Sequence, residues 1–337
     1  MKTFALAVLR ARGITQLVPG LLMSVVVAAA ATFLAEHYQA PVMLFALLLG
    51  MAVNFLAVEG QCKPGIEFTS REVLRVGVAL LGMRITFSQI AALGWHPVVL
   101  VVGSVVLTIL VAMLAARAMG FQTLFGLLTG GATAICGASA ALALAAALPA
   151  HPGKERATLF TVIGVSALST LAMIVYPMVV QLFGLDATQA GMFLGGTIHD
   201  VAQVVGAGYG MSQETGDTAT VIKLMRVAML LPVIVCAVMI SRARGEETGG
   251  KRPPLLPWFA VGFIVLAAIN STGWLASSVQ SFANDLSRWC LVIAISALGM
   301  KTQLKELATV GLKPVVLMVG ETVFLAALVL GMLRWGL

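Results

Sequence analysis

The chain has 337 residues, of which 60% are hydrophobic and only 10% are charged. A soluble domain of this length carries about a quarter charged residues, so the composition excludes a soluble globular protein and indicates an integral membrane protein. The formal net charge of +7 does not indicate a nucleic-acid partner, because the basic residues lie in short clusters between apolar runs. Alternating polar and apolar segments of about ten residues do not occur, so we expect helical spans rather than barrel strands.

Apolar runs bounded by charged residues, Pro and Gly predict an all-α, polytopic fold with about eleven transmembrane helices. The predicted spans lie near residues 14–35, 41–58, 70–88, 97–118, 121–148, 156–183, 187–209, 217–240, 256–271, 279–300 and 314–335. In this count most basic clusters fall on one side, which predicts a cell-membrane protein with a cytoplasmic N-terminus and an external C-terminus. His151, Lys154 and Arg156 favour the opposite orientation.

An internal repeat relates residues 8–118 to residues 217–335 within a single transmembrane domain. The tripeptide at 82–84, Gly-Met-Arg, recurs as Gly-Met-Lys at 299–301, and Pro-Val-Val-Leu at 97–100 recurs at 314–317, without a gap. Matched helices lie seven spans apart, an odd number, so the copies are expected to run in opposite directions. Inverted repeats are typical of secondary transporters that open alternately to two faces. Asn54 and Asn270 are related by the repeat, and we expect them either to join helices or to contact substrate.

Two stretches rich in glycine lie between the copies, within residues 121–210, and both are expected to be broken helices. They read GLLTGGATAICGAS at 126–139 and GMFLGGTIHDVAQVVGAGYG at 191–210. We expect Gly130 to Gly137 and Gly195 to Asp200 to be non-helical near the middle of the membrane. Unwound segments expose N–H groups that can hold an anion, whereas the alternative is close helix packing. The candidate substrate ligands here are Gly130, Gly131, Cys136, Gly137 and Ser139.

Ionisable residues inside apolar spans are functional candidates, because they are costly in hydrocarbon. His199 and Gln203 are four apart and would share a helical face, with Asp200 beside them, which predicts a site for a coupled proton or cation. The alternative is a hydrogen-bonded cluster that only fixes packing. Glu321, several residues inside the last span, is a second coupling candidate.

Lys223 and Arg226 are three apart on one face of the span that follows the second glycine stretch. If they face inward they can bind an anion as a pair, and the guanidinium can hold an oxyanion through two hydrogen bonds. The alternative is that both side chains extend to the external surface.

Sequence motifs for catalysis, metals or cofactors are absent, so we expect no enzyme, no cofactor and no metal site. The four cysteines have no metal-ligand spacing and are expected to be free thiols. An intramembrane hydrolase would need Ser139 and His199 together, and nothing in the sequence places them together.

The chain resembles the YeiH-like bacterial inner-membrane proteins, usually called sulfate exporters, in four places. These are GGATAICGASAA at 130–141, GGTIHDVAQVVGAG at 195–208, ATVIKLMR at 219–226 and LLGMR ending at Arg84. The family often has Glu where this chain has Asp200. The resemblance implies a multi-pass membrane protein related to bile-acid, arginine and riboflavin-type transporters, with inverted repeats and crossed broken helices.

Together these features predict a secondary transporter of a small anion, such as a sulfur oxyanion or a sulfonate. Alternating access would be coupled to a proton or a sodium ion, and the lipid bilayer is the other partner. A carrier for another organic acid is the alternative within transport. An intramembrane enzyme or sensor is the alternative outside it, which the inverted repeat disfavours because neither requires two-faced symmetry.

Overall fold

A computed structural model describes residues 2–38, 42–58, 60–149, 153–243, 258–302 and 312–335, and every regular element in them is helical. The predicted all-α fold class is therefore confirmed. Five helices in this part of the chain are long and apolar enough to cross a membrane: Thr15–Tyr38, His96–Ala118, Lys154–Phe183, Gln213–Met239 and Leu312–Arg334. Shorter apolar helices accompany them, so the number of eleven spans stays a prediction.

The chain divides into two compact units. The first unit comprises Met1–Phe87 and Phe259–Gln303, and the second comprises Ser88–Trp258 and Leu304–Leu337. In chain order the helices are α1 Lys2–Tyr38, α2 Val42–Ala52, α3 Phe55–Val58, α4 Lys63–Phe68, α5 Leu74–Leu80, α6 Phe87–Ala92, α7 His96–Ala118, α8 Thr123–Ala134, α9 Ala138–Ala147, α10 Lys154–Phe183, α11 Ala187–Thr197, α12 Val201–Met211, α13 Gln213–Ala228, α14 Leu230–Ala243, α15 Trp258–Ser271, α16 Ser277–Lys301 and α17 Leu312–Arg334. A short π-helical segment at Thr69–Val73 precedes α5, and a 3₁₀ turn at Leu81–Met83 follows it.

The first unit contains two close helix contacts that mirror each other. A Cβ added to Gly299 would lie 2.3 Å from Leu47 O, and one added to Gly82 would lie 2.2 Å from Phe263 O. The two glycines correspond in the sequence repeat, and so, within one residue, do Leu47 and Phe263. Each copy therefore supplies the glycine to one contact and the carbonyl to the other, which is the pattern of two-fold related halves.

Two asparagines in the same unit show the same exchange. Asn54 Nδ2 donates to Met300 O, in the last turn of α16, at 2.8 Å and to Thr302 O, just after α16, at 3.3 Å. Asn270 Nδ2 donates to Ile85 O at 3.3 Å, just after the 3₁₀ turn. Met300 O belongs to the last turn of α16, where carbonyls have no partner within the helix, and Thr302 and Ile85 lie just past helical segments. The contacts of both asparagines are thus those of helix caps, although the repeat bounds 8–118 and 217–335 stay a prediction.

The second unit contains both glycine-rich stretches, and each forms two half-helices. Helix α8 ends at Ala134 and α9 begins at Ala138, whereas α11 ends at Thr197 and α12 begins at Val201. The first break needs a glycine, because Gly137 has φ +63° while its N–H returns to Ala132 O at 2.9 Å. The second break is extended backbone. The start of α11 is fixed by an Asp186–Gln189 capping box.

Candidate functional site at the two helix breaks

The two breaks meet inside the second unit. A Cβ added to Gly137 would lie 3.5 Å from His199 O and 3.6 Å from His199 Cβ, so the two non-helical links are in van der Waals contact. Both links start new helices, α9 and α12, whose first-turn N–H groups have no partner within the helix. The two helix N-termini, which carry partial positive charge, therefore begin at adjacent links.

The glycine pairs are not part of the breaks, which corrects the sequence prediction. Gly130 and Gly131 lie in α8, and Gly195 and Gly196 lie in α11; the non-helical residues are only 135–137 and 198–200. A Cβ on Gly130 would come within 2.3 Å of Ala112 Cβ, and one on Gly195 within 2.4 Å of Ala219 O. These glycines serve close packing against α7 and α13, which was the alternative interpretation.

Lys223 joins the C-terminal ends of both interrupted helices. Its Nζ donates to Ile135 O at 2.7 Å and to Ile198 O at 2.9 Å, and its side chain is fully buried. These carbonyls follow α8 and α11, where helix dipoles concentrate negative charge, so a cation is stabilised there. One ammonium thus holds the two breaks together.

Arg226, one turn further along α13, completes this cap. Its Nε donates to Ala134 O at 2.6 Å, its Nη2 to Thr133 O at 2.9 Å and its Nη1 to Gly195 O at 3.2 Å. The guanidinium is fully buried. The interpretation that these two cations extend to the surface is therefore wrong. Their role in anion binding stays a prediction, because both are bonded to backbone carbonyls.

His199 lies in the second link and connects three helices. Its Nδ1 is 3.0 Å from Thr133 O, and its Nε2 is 3.0 Å from Thr322 Oγ1 on α17. Since a carbonyl can only accept, Nδ1 carries the hydrogen of the first bond. The Thr322 hydroxyl is also 2.8 Å from Met318 O. The expectation that His199 and Gln203 share a helical face is wrong, because α12 begins only at Val201.

Glu321 is buried in α17 and meets two hydroxyls of α8. Thr129 Oγ1 donates to its Oε1 at 2.7 Å, and Thr133 Oγ1 donates to its Oε2 at 3.1 Å. Within the described residues no cation forms an ion pair with this carboxyl group. Thr133 therefore links three of the predicted residues: its hydroxyl bonds to Glu321, and its carbonyl accepts from His199 and Arg226.

The remaining predicted site residues differ from one another in burial and in their contacts. Cys136 and Gln203 are buried, and Gln203 Oε1 has no hydrogen-bond partner among the described residues. Asp200 is half-buried; its backbone N–H donates to Ser169 Oγ at 3.0 Å, and its charge interacts with Lys223. Ser139 is exposed on α9, outside the buried cluster. All four cysteines of the chain are free thiols, as expected.

Sequence reasoning missed the hydroxyl residues that connect the cluster, namely Thr129, Thr133, Ser169 and Thr322. A signal for three of them existed. Thr129 and Thr133 are four apart and flank the Gly130-Gly131 pair, so they share one face of α8, and Thr322 follows Glu321 directly. Threonine is nevertheless common in apolar helices, and its usual bond to the carbonyl four residues earlier gives it an ordinary explanation.

Fold and site together define a multi-pass α-helical membrane protein with two broken helices joined by buried cations. The chain matches the family model described as Conserved hypothetical protein 698 over residues 19–318. It belongs to this family, the UPF0324 membrane proteins.

Individual relatives cover most of the chain. It is 59% identical to UPF0324 membrane protein CT0845 of Chlorobaculum tepidum, over 94% of this chain and 89% of the relative. It is 55% identical to UPF0324 membrane protein TauZ of Paracoccus denitrificans, over 92% and 93%. It is 34% identical to UPF0324 membrane protein PA5383 of Pseudomonas aeruginosa. No solved structure matches the chain. Each of these relatives is named as a membrane protein, in agreement with the apolar helices of this chain.

Proposed function

We propose that this protein is a secondary transporter of a small anion, such as a sulfur oxyanion or a sulfonate, and not an enzyme. The observation that carries the proposal is the contact between the two helix breaks, where two helix N-termini begin beside two buried cations. Broken helices whose N-termini meet inside a membrane domain are a recurrent way to hold an anionic substrate group. The name sulfate exporter, implied by the resemblance alone, stays part of this proposal.

The anion would be held by first-turn N–H groups of α9 and α12, with Lys223 and Arg226 adding positive charge from behind. Ser139 is exposed and Asp200 is half-buried, so these N-termini are accessible from the surface of the unit. The cations remain bonded to carbonyls and act through their field, which is strong where water is excluded. Asp200 offsets part of this charge, and together with His199, Gln203 and Glu321 it belongs to the proposed coupling region.

Alternating access fits the reciprocal contacts of the first unit. Gly299 against Leu47 and Gly82 against Phe263 are equivalent contacts made by two similar halves. A repeat of this kind supplies two equivalent arrangements, one for each side of the membrane. We place the N-terminus in the cytoplasm in this proposal, following the distribution of basic residues.

The first test is a thermal-shift screen of the purified full-length protein with sulfate, methanesulfonate, acetate and chloride. A ligand that binds only the folded state raises the melting temperature, and the increase grows with the ligand concentration relative to its Kd. We expect sulfate or methanesulfonate to raise it and chloride to have little effect. An acetate response alone would favour a carrier for another organic acid, and no response to any anion would overturn the proposal.

Lys154 offers a matched control for the cation at the breaks. Its Nζ donates to Leu148 O at 2.6 Å, just after α9, so it also caps a helix, but away from the two links. Lys223→Met should abolish the anion-induced shift, whereas Lys154→Met should lower stability and retain the shift. If both variants lose the shift equally, general destabilisation explains the loss and Lys223 has no special part in binding.

A further inference from the structure

We propose that the ion coupled to transport is a proton and that Glu321 carries it. The Thr129 hydroxyl keeps the Glu321 side chain hydrogen-bonded both as a carboxylate and as a carboxylic acid. The role in transport rests on the function proposed above. The proton-binding site itself rests only on contacts within the second unit.

The Thr129 hydroxyl has two alternative acceptors. Its Oγ1 lies 2.7 Å from Glu321 Oε1 and 3.1 Å from Phe125 O, the carbonyl one turn earlier in α8. A hydroxyl has one hydrogen to donate but can also accept, and a carbonyl oxygen has two lone pairs. Thr129 can therefore donate to the carboxylate, or accept from the carboxylic acid while donating to Phe125 O.

Thr133 distinguishes the two carboxyl oxygens. Its hydroxyl donates to Oε2 at 3.1 Å and holds this oxygen as an acceptor in both forms. Oε1, which faces Thr129, is then the oxygen that gains the hydrogen. On protonation a hydronium ion gives a proton to Oε1 and becomes water, the new O–H donates to Thr129 Oγ1, and the Thr129 hydrogen turns to Phe125 O. No buried polar group loses its partner in either form, so the change of charge adds no cost from an unsatisfied hydrogen-bonding group.

The surroundings of Glu321 contain few other charges. Of the helices that pack on α17, α8 and α11 contain no ionisable side chain within their described ranges. Helix α7 carries His96 and Arg117 near its ends, and α10 carries Tyr176 besides three charged residues in its first turn. His199 reaches the neighbouring Thr322, and Arg226 reaches Thr133 O. A change in the protonation of Glu321 can thus affect the helix breaks through Thr322, which contacts His199, and through Thr133, which contacts Arg226.

A proton suits this arrangement better than a sodium ion. A metal cation needs several oxygen lone pairs around one point, whereas both carboxyl oxygens of Glu321 already receive a hydroxyl hydrogen. His199 has a similar arrangement, because the Thr322 hydroxyl can donate either to Nε2 or to Met318 O. Two ionisable groups of the cluster are thus each paired with a hydroxyl that can change its acceptor.

Infrared difference spectroscopy of the purified full-length protein tests the proton site without any transport. A carboxylic-acid C=O band should be present at acidic pH and lost at alkaline pH, and Glu321→Gln should remove this band at every pH. Thr129→Val should shift the band and Thr129→Ser should restore its position. The matched control is Thr220→Val, because the buried Thr220 hydroxyl donates to Gly216 O at 2.7 Å within its own helix, and this variant should leave the band in place.

Transport by proteoliposomes then tests the coupling, with sulfate as the probe and a pH-sensitive dye inside the vesicles. Glu321→Gln should retain sulfate–sulfate exchange and lose sulfate-dependent proton movement by at least tenfold. A band unchanged in Glu321→Gln, or shifted equally by Thr220→Val and Thr129→Val, would overturn the proton site. If the band behaves as expected but the wild-type protein neither binds nor moves any anion, the proposed function fails and the proton site stands.

Discussion

The two units satisfy the carbonyls of ended helices by different chemistry. In the first unit the neutral amides of Asn54 and Asn270 cap helix ends, one from each copy of the repeat. In the second unit two cations on one helix, Lys223 and Arg226, cap both interrupted helices. An amide would have satisfied these carbonyls without a large desolvation cost, whereas burying two charges is expensive. In the function proposed above, the first set of caps only holds the structure and the second set also serves the anion.

Arg226 should give the largest effect. Arg226→Met keeps much of the side-chain volume but leaves the carbonyls of Thr133, Ala134 and Gly195 without this donor, so we expect a loss of roughly 3 kcal/mol or more in unfolding free energy. Sulfate affinity should fall at least tenfold. Arg226→Lys should recover part of the sulfate affinity, because lysine keeps the positive charge but lacks the planar set of N–H donors of the guanidinium. Thermal unfolding in detergent, with and without sulfate, measures both the stability and the sulfate affinity. Wild-type stability and affinity in Arg226→Met would contradict the difference between amide caps and cation caps.

Close glycine contacts should have similar effects in the two units. Gly195→Ala in the second unit and Gly299→Ala in the first each direct a Cβ to within 2.4 Å and 2.3 Å of a carbonyl oxygen. We expect a loss of about 1–3 kcal/mol for each. Gly320→Ala is the control, since a Cβ there meets nothing within 4 Å and alanine favours a helix. Equal melting temperatures for all three variants would contradict the packing role of these glycines.

The asparagine caps should affect stability but not binding. Asn54→Ala and Asn270→Ala should each lower the unfolding free energy by about 1 kcal/mol. Each asparagine makes two side-chain hydrogen bonds, and Asn270→Ala should have the larger effect because Asn270 is buried whereas Asn54 is half-buried. Sulfate titrations followed by thermal shift should give wild-type affinity in both variants. A tenfold loss of affinity in either would instead make the asparagines substrate ligands.

Thr108 should give the smallest effect. Its hydroxyl is fully buried in α7 and has no hydrogen-bond partner among the described residues. Thr108→Val removes that hydroxyl with little change of shape, so stability should stay the same or rise by up to about 1 kcal/mol. Thr220→Val, which loses a hydroxyl bond to a carbonyl, provides the comparison in the same melting experiment. A clear loss of stability in Thr108→Val would reveal a polar contact of this hydroxyl.

The sequence was sufficient to predict the helical class and the presence of two interrupted helices, because composition and glycine spacing act locally. The predicted interruptions begin too early, at Gly130 and Gly195, but end at the residues where the observed breaks end. In a membrane helix a Gly-Gly pair is compatible both with an unwound backbone and with a close neighbour, and only the position of α7 and α13 decides between them. The second break itself contains no glycine, so glycine spacing could not show that the interruption begins only at residue 198.

The partners of the predicted ionisable residues could not be derived from the sequence either. Lys223 bonds to carbonyls 88 and 25 residues away, and Glu321 bonds to Thr129, 192 residues away. Backbone carbonyls are present at every position, so no residue type indicates which of them a buried cation will reach. The charged residues could be selected from the sequence because they are rare in apolar spans, whereas their partners are common.

The position of Lys223 has a mechanical consequence. Because a single ammonium binds Ile135 O and Ile198 O, α8 and α11 cannot separate at their ends unless at least one of these bonds breaks. Breaking it would leave a charge and a carbonyl unpaired in a dry interior. The lowest-energy displacement of this region is therefore a joint one, in which both breaks travel with α13 as a single rigid body. Any motion that exposes the breaks to one side of the membrane and then the other would carry the two helix N-termini together, at fixed spacing.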